Sequence, residues 1–125
     1  MKIEKNKLIA KFMNLEPYED SRYGTLWFSP IKDEKGANFV LKFDTSWGWL
    51  MTVVEKIESI NDTHHGYFGV YISSNSCTIQ GTKFRSDKIA EPPVYFSTVT
   101  LNTKFDATYY CVVKFIEWYN EYINE

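Results

Sequence analysis

The sequence lacks the short motifs that identify the common enzyme classes. Its 125 residues contain no phosphate-binding loop, no dinucleotide-binding glycine fingerprint, no metalloprotease histidine pair and no serine nucleophile elbow. Only His64 and His65 could act as general bases near neutral pH. Both fall in one polar turn, where a pair of loop histidines is the simpler interpretation. We therefore expect a protein that is not an enzyme, with a catalytic site assembled from distant residues as an open alternative.

Metal ligands, cysteines and long apolar runs are also scarce. The two cysteines, Cys77 and Cys111, lie inside apolar patterns, which favours buried, reduced thiols and a cytoplasmic location. The carboxylates of residues 16–24 lack calcium-loop spacing, so we expect no metal and no cofactor. No apolar run approaches the roughly 20 residues of a membrane span, and residues 1–14 lack the continuous apolar core of a signal peptide. We expect no membrane partner.

The charge gives little support for a nucleic-acid-binding protein. The chain has 14 basic and 16 acidic residues, a net charge of −2 and an isoelectric point near 5.7, so a broad basic signal is missing. One local concentration is a lysine face on the first predicted helix, which is either solvated or a surface for phosphate or an acidic partner: Lys2, Lys5, Lys7 and Lys11. A second follows residue 81 and is diluted by acidic neighbours: Lys83, Arg85 and Lys88.

Aromatic residues, by contrast, are dense. There are nine Phe, nine Tyr and four Trp, too many for so small a chain to bury completely. These rings either pack the core and its rim, or some of them form the aromatic surface that protein interfaces use. Trp27 illustrates the choice, because in a strand over residues 25–29 it faces away from Leu26 and Phe28. It is either covered by a helix or exposed as a binding residue.

The chain is organised around an amphipathic helix predicted over residues 46–60. Its apolar side is broad, which predicts burial against more than one neighbour. The residues expected to be buried recur at helical spacing: Trp47, Leu50, Val54 and Ile57. Before the helix, Asp44, Thr45 and Ser46 offer capping oxygens.

Two more helices and four to five strands complete the predicted fold. The helices cover residues 4–15 and 103–124, and the strands cover residues 25–29, 38–43, 67–72, 77–80 and, less regularly, 94–101. The clearest hairpin pairs Ile72 with Cys77 and Val70 with Ile79, which places all four on one face. We predict one α+β domain over residues 1–125. In it, an antiparallel sheet of four to five strands packs with three helices, in the order α-β-β-α-β-β-(β)-α.

Four stretches carry a family resemblance over most of the chain. They are residues 6–13 (NKLIAKFM), 46–58 (SWGWLMTVVEKIE), the pair 70–73 (VYIS) and 77–79 (CTI), and 107–120 (ATYYCVVKFIEWYN). In these stretches the chain resembles a family of small uncharacterised proteins that are common in prophages and genomes of Bacteroidetes and similar to phage α-β-α sandwich domains. The resemblance implies a fold, a phage or prophage origin and a place in the cytoplasm of a bacterial host cell. Residues 16–36 and 81–101 look particular to this chain.

We therefore expect a non-enzymatic binding protein of the phage or prophage type. It would occupy a host or phage protein or a ribonucleoprotein, reach nucleic acid through that partner and, in its most concrete form, inhibit bacterial defence as anti-CRISPR proteins do. The candidate contact residues are Tyr18, Tyr23, Trp27, Lys83, Arg85 and Tyr95. The alternatives are a nucleic-acid-associated phage accessory factor that uses the lysines and a small enzyme with an unrecognised site. The oligomeric state stays open.

Overall fold

In a computed structural model the chain divides into two compact units, residues Met1–Val53 and Val54–Glu125. The structure describes residues 2–62, 65–81, 95–99 and 103–124, and of residues 95–99 only the backbone. The elements are α1 (Lys2–Phe12), β1 (Tyr18–Asp20), β2 (Gly24–Phe28), β3 (Ala37–Asn38), α2 (Trp47–Ser59), β4 (Asn61–Asp62), β5 (Gly66–Ile72), β6 (Ser76–Gly81), β7 (Tyr95–Val99) and α3 (Lys104–Ile123). Within the described residues no helix is long and apolar enough to cross a membrane.

The first unit contains a small antiparallel sheet in the order β1-β2-β3. Tyr18 lies opposite Leu26, and Trp27 lies opposite Asn38. The tight turn between β1 and β2 is held by Asp20, whose carboxylate accepts hydrogen bonds from the backbone N–H groups of Arg22 (2.7 Å) and Tyr23 (3.1 Å). A polar sequence therefore forms a hairpin here because its turn chemistry is satisfied locally.

The helix α1 is tied to the chain that follows β3. The buried Asn6 donates from Nδ2 to Asp44 Oδ1 at 2.9 Å and to the Leu41 carbonyl at 3.4 Å. Ile9, Ala10 and Phe12 are also buried on α1, so an apolar face and one satisfied polar side chain fix the helix in its unit.

The helix α2 begins at the predicted cap. The Ser46 hydroxyl accepts from the Trp49 N–H at 3.3 Å, which satisfies one of the free N–H groups of the first turn. Burial of Leu50, Val54 and Ile57 is confirmed. The prediction for Trp47 is wrong, since it is 40% exposed.

Trp49 takes the buried place instead of Trp47. Its ring meets the buried Phe43 edge-on at 5.1 Å between centroids. This is the favoured geometry for an aromatic pair. Trp47 is the first residue of the helix. At this position the helical periodicity alone does not determine whether a side chain is buried.

The second unit contains the sheet β5-β6-β7, extended by the two-residue strand β4 to the order β4-β5-β6-β7. The predicted hairpin is confirmed in its register, with Ile72 opposite Cys77 and Val70 opposite Ile79. The last predicted strand is confirmed as β7, which pairs with β6 and is the outermost of the described strands on that side of the sheet. The helix α3 packs on β6 and β7. Its Thr103 cap accepts from the Asp106 N–H at 3.0 Å.

The α+β class with three helices is confirmed, but the single sheet of four to five strands is wrong. The strands form two separate antiparallel sheets, and β1 and β4 add to the predicted order. Both extra strands are short and polar, so they carry no alternating apolar pattern. The strand predicted over residues 38–43 ends at Asn38, after which Phe39 and Val40 are exposed. The single-domain expectation stays a prediction.

Candidate binding surface

The strand β2 divides its side chains between two faces of the first sheet. Because residues directly opposite one another share a face, Leu26 lies on the same side as Tyr18, and Phe28, two residues on, lies there too. Thr25 and Trp27 belong to the other face. The first side carries most of the exposed aromatic side chains of this unit.

Four aromatic side chains on this side are exposed to between 48 and 66% of their area: Tyr18, Tyr23, Phe28 and Phe39. We call them the aromatic face. The rings of Tyr18 and Phe28 lie 6.0 Å apart, and those of Tyr23 and Phe39 lie 6.1 Å apart in an edge-on arrangement. Single exposed apolar residues are ordinary on protein surfaces, but a contiguous group of this kind is typical of an interaction site.

Three of these four rings line an open depression of about 480 Å³. Its lining is mainly apolar and includes Tyr18, Tyr23, Leu26 and Phe39. The one carboxylate in the lining, that of Asp20, already accepts the two backbone hydrogen bonds of the β1–β2 turn. The depression can therefore receive apolar or aromatic side chains, with the two tyrosine hydroxyls available for polar contacts at the rim.

The predicted contact residues fall into four groups. Tyr18 and Tyr23 come together on the aromatic face, whereas Trp27 is half-buried on the opposite face of the sheet. Tyr95 is the first residue of β7 in the second unit, opposite Gln80, and only its backbone is described. Lys83 and Arg85 lie outside the described residues.

Sequence reasoning missed Phe28 and Phe39, which it assigned to buried strand faces. Phe39 alternates with Leu41 and Phe43, which predicts one buried strand face, so the sequence gives no signal of its exposure. The exposure of Phe28 has no signal either, since it shares the side of the buried Leu26.

Among the described residues, the group most similar to a catalytic pair is a polar cluster in the second unit. His65 Nδ1 lies 2.7 Å from Asp62 Oδ2, and Asp62 also accepts from the His65 N–H (2.9 Å) and from the Tyr122 hydroxyl (3.0 Å). The imidazole, however, is surrounded by the rings of Phe68, Trp118 and Tyr122 at 5.3–5.9 Å. Asp62 therefore anchors the residue before β5 and orients a mostly enclosed histidine.

The thiol of Cys77 is not set up as a nucleophile. Cys77 on β6 and Cys111 on α3 are both fully buried. The hydrogen-bonded Cys111 thiol raises the pKa of Cys77 well above its ordinary value of 9.0, burial raises that pKa further, and the interaction with the Thr108 side chain lowers it in part. A raised pKa suppresses the thiolate, which is the reactive form.

Burial of this thiol predicts a pH dependence of stability. Above pH 9.0 the unfolded chain loses the Cys77 proton while the folded chain keeps it. The stabilisation is therefore complete below that pH and falls by about 1.4 kcal/mol per unit as the pH rises. We expect the free energy of unfolding of Cys77→Ala, measured by urea titration between pH 8 and about 10.5, to decline less steeply than that of the wild type. Equal pH dependence of the free energy of unfolding in the two proteins would contradict the raised pKa of Cys77.

The aromatic face is thus the strongest candidate site. Among the described residues, no three histidine, cysteine or carboxylate side chains come together as metal ligands. The chain matches no protein-family model, no curated protein and no solved structure in comparisons with each.

Proposed function

We propose that the protein is a non-enzymatic binding protein of the phage or prophage type, acting by occupying another protein or a ribonucleoprotein through the aromatic face. The observation that carries the proposal is the cluster of four largely exposed aromatic rings, three of which line one apolar depression. Tyrosine and other aromatic residues are enriched in protein interfaces and dominate their binding energy. Tyr18 and Phe28 lie on strands of the small sheet, and Tyr23 lies in a turn that Asp20 holds. Little conformational freedom of these residues is therefore lost on binding.

The partner we propose is a host or phage protein in the bacterial cytoplasm, and the most concrete form of the proposal is an inhibitor of a bacterial defence complex. The sequence resemblance to prophage proteins supports this origin, and the acidic isoelectric point favours a protein or ribonucleoprotein over bare nucleic acid. Expression of the chain in a bacterium with an active defence system should then restore plating of the targeted phage. Unchanged plating with every defence type tested would reject this form of the proposal.

The contact surface is tested by a paired substitution. In Tyr18→Ser/Phe28→Ser, two contacting exposed rings are lost, and we expect a stoichiometric partner captured by the wild type from host lysate to be lost with them, because central aromatic residues each contribute about 2 kcal/mol or more. Circular dichroism should show an unchanged fold. The measurement is quantitative mass spectrometry of the captured material.

The matched control is Tyr71→Ser/Ile123→Ser, which removes two equally exposed large apolar side chains of the second unit. It should capture the partner as the wild type does. Equal capture by the Tyr18/Phe28 variant, or loss with the control alone, would overturn the assignment of the surface. If the wild type captures no stoichiometric partner, the proposed function itself fails.

A further inference from the structure

A second surface of the first unit, on the opposite side of the small sheet, has a different character. Two neighbouring depressions of about 460 and 320 Å³ lie where α1 faces β2. Both are lined by Lys7 of α1 and by Thr25 and Trp27 of β2, so they meet at these three residues. We call the pair the α1 groove.

The floor of the α1 groove is apolar on both sides of this meeting point. Ala10, Leu15 and Pro17 line the larger depression, and Ile3 and Val40 belong to the smaller one. Ile3 and Val40 are each more than 60% exposed. The groove can therefore bury apolar side chains that a ligand brings to it.

One wall of the groove carries positive charge. Lys7 and Lys11 are exposed, lie one turn apart on α1 and both line the larger depression. Neither makes an ion pair with any residue that the structure describes. The one carboxylate that lines the larger depression is that of Glu19 on β1, and it accepts a hydrogen bond from the Thr25 hydroxyl at 2.9 Å. The two ammonium groups are thus left for a ligand.

We propose that the α1 groove binds an extended, acidic segment of another protein, with apolar side chains in the two depressions and carboxylates on Lys7 and Lys11. This site shares Phe39 with the aromatic face but does not depend on the function proposed for that face. Ile3 and Lys11 are separated by about 12 Å along the helix, the reach of about four extended residues. A short linear segment therefore fits the groove.

The lining favours a peptide over a nucleic acid. A strand of DNA or RNA needs a continuous row of cations along its phosphates. The α1 groove instead has two lysines, one carboxylate and a mainly apolar floor, and the whole chain has a net charge of −2. Alternating carboxylates and apolar side chains match that lining better.

The test is selection of a phage-displayed library of random peptides on the full-length chain. We expect the enriched peptides to be rich in Asp and Glu beside Leu, Ile or Phe. We expect Lys7→Glu/Lys11→Glu to weaken binding of a selected peptide, measured by fluorescence anisotropy, by about tenfold or more. Ile3→Ser should weaken it as well, because it removes an exposed apolar side chain that lines the smaller depression.

The matched control is Lys32→Glu/Lys35→Glu, which makes the same change of charge at two exposed lysines outside the groove. It should bind the selected peptide as the wild type does. No enrichment, enrichment of neutral or basic peptides, or equal weakening by both charge reversals would overturn the proposal. Tighter binding of single-stranded oligothymidylate than of any selected peptide, lost in Lys7→Glu/Lys11→Glu, would overturn it in favour of nucleic acid.

Discussion

Replacing Phe43 by alanine is expected to lower the free energy of unfolding by about 3–5 kcal/mol, the range for a large buried aromatic residue. Phe43 is fully buried, and its ring meets that of the buried Trp49 at 5.1 Å. The substitution removes apolar contacts and leaves a cavity beside the buried Trp49. Urea unfolding followed by circular dichroism measures the loss.

The matched control is Phe39→Ala, four residues earlier in the same segment. Phe39 is 66% exposed, so the same chemical change should cost less than about 1 kcal/mol. A strand over residues 38–43 would place both rings on one face and make their losses similar. Similar losses would therefore contradict the structure of this segment.

Replacing Asp62 by alanine is expected to lower the free energy of unfolding by about 2–4 kcal/mol. Its largely buried carboxylate accepts from the His65 backbone N–H, from His65 Nδ1 and from the Tyr122 hydroxyl, at 2.7–3.1 Å. Removing it deprives these donors of that acceptor inside an aromatic enclosure, where water replaces the bonds poorly. Urea unfolding again gives the measurement.

Two variants separate the Asp62 network from a general effect of losing a carboxylate. Tyr122→Phe removes one hydroxyl donor and should cost about 1 kcal/mol. Asp20→Ala removes a carboxylate that holds an exposed turn, where water can replace the bonds, so it should cost no more than about 1 kcal/mol. A loss for Asp62→Ala as small as that for Asp20→Ala would show that the cluster contributes little.

The parts of the fold that the sequence predicts are those decided by local pattern. The β5–β6 register follows from matching apolar alternation, as Val70 opposite Ile79 shows. The helices follow from their caps at Ser46 and Thr103 and from their apolar periodicity. Which of Trp47 and Trp49 is buried does not follow from local pattern, because it depends on where Phe43 lies after the chain leaves β3.

The candidate site was only partly predictable for a related reason. Tyr18 and Tyr23 stand out as aromatic residues in a polar segment, and both belong to the aromatic face. Phe28 and Phe39 look like core residues in the sequence, since nothing local indicates that their side of the small sheet is left open. Likewise Trp27 and Lys7 meet in one groove only through the placement of α1 beside β2.

The most direct test of binding through the aromatic face is amide hydrogen exchange of the chain, alone and in complex with its captured partner. Exchange reports local protection segment by segment. We predict slower exchange in the complex over residues 18–28 and 37–40, which carry the four rings. Slower exchange confined to β5, β6 and α3, with exchange in the first sheet unchanged, would contradict binding through the aromatic face.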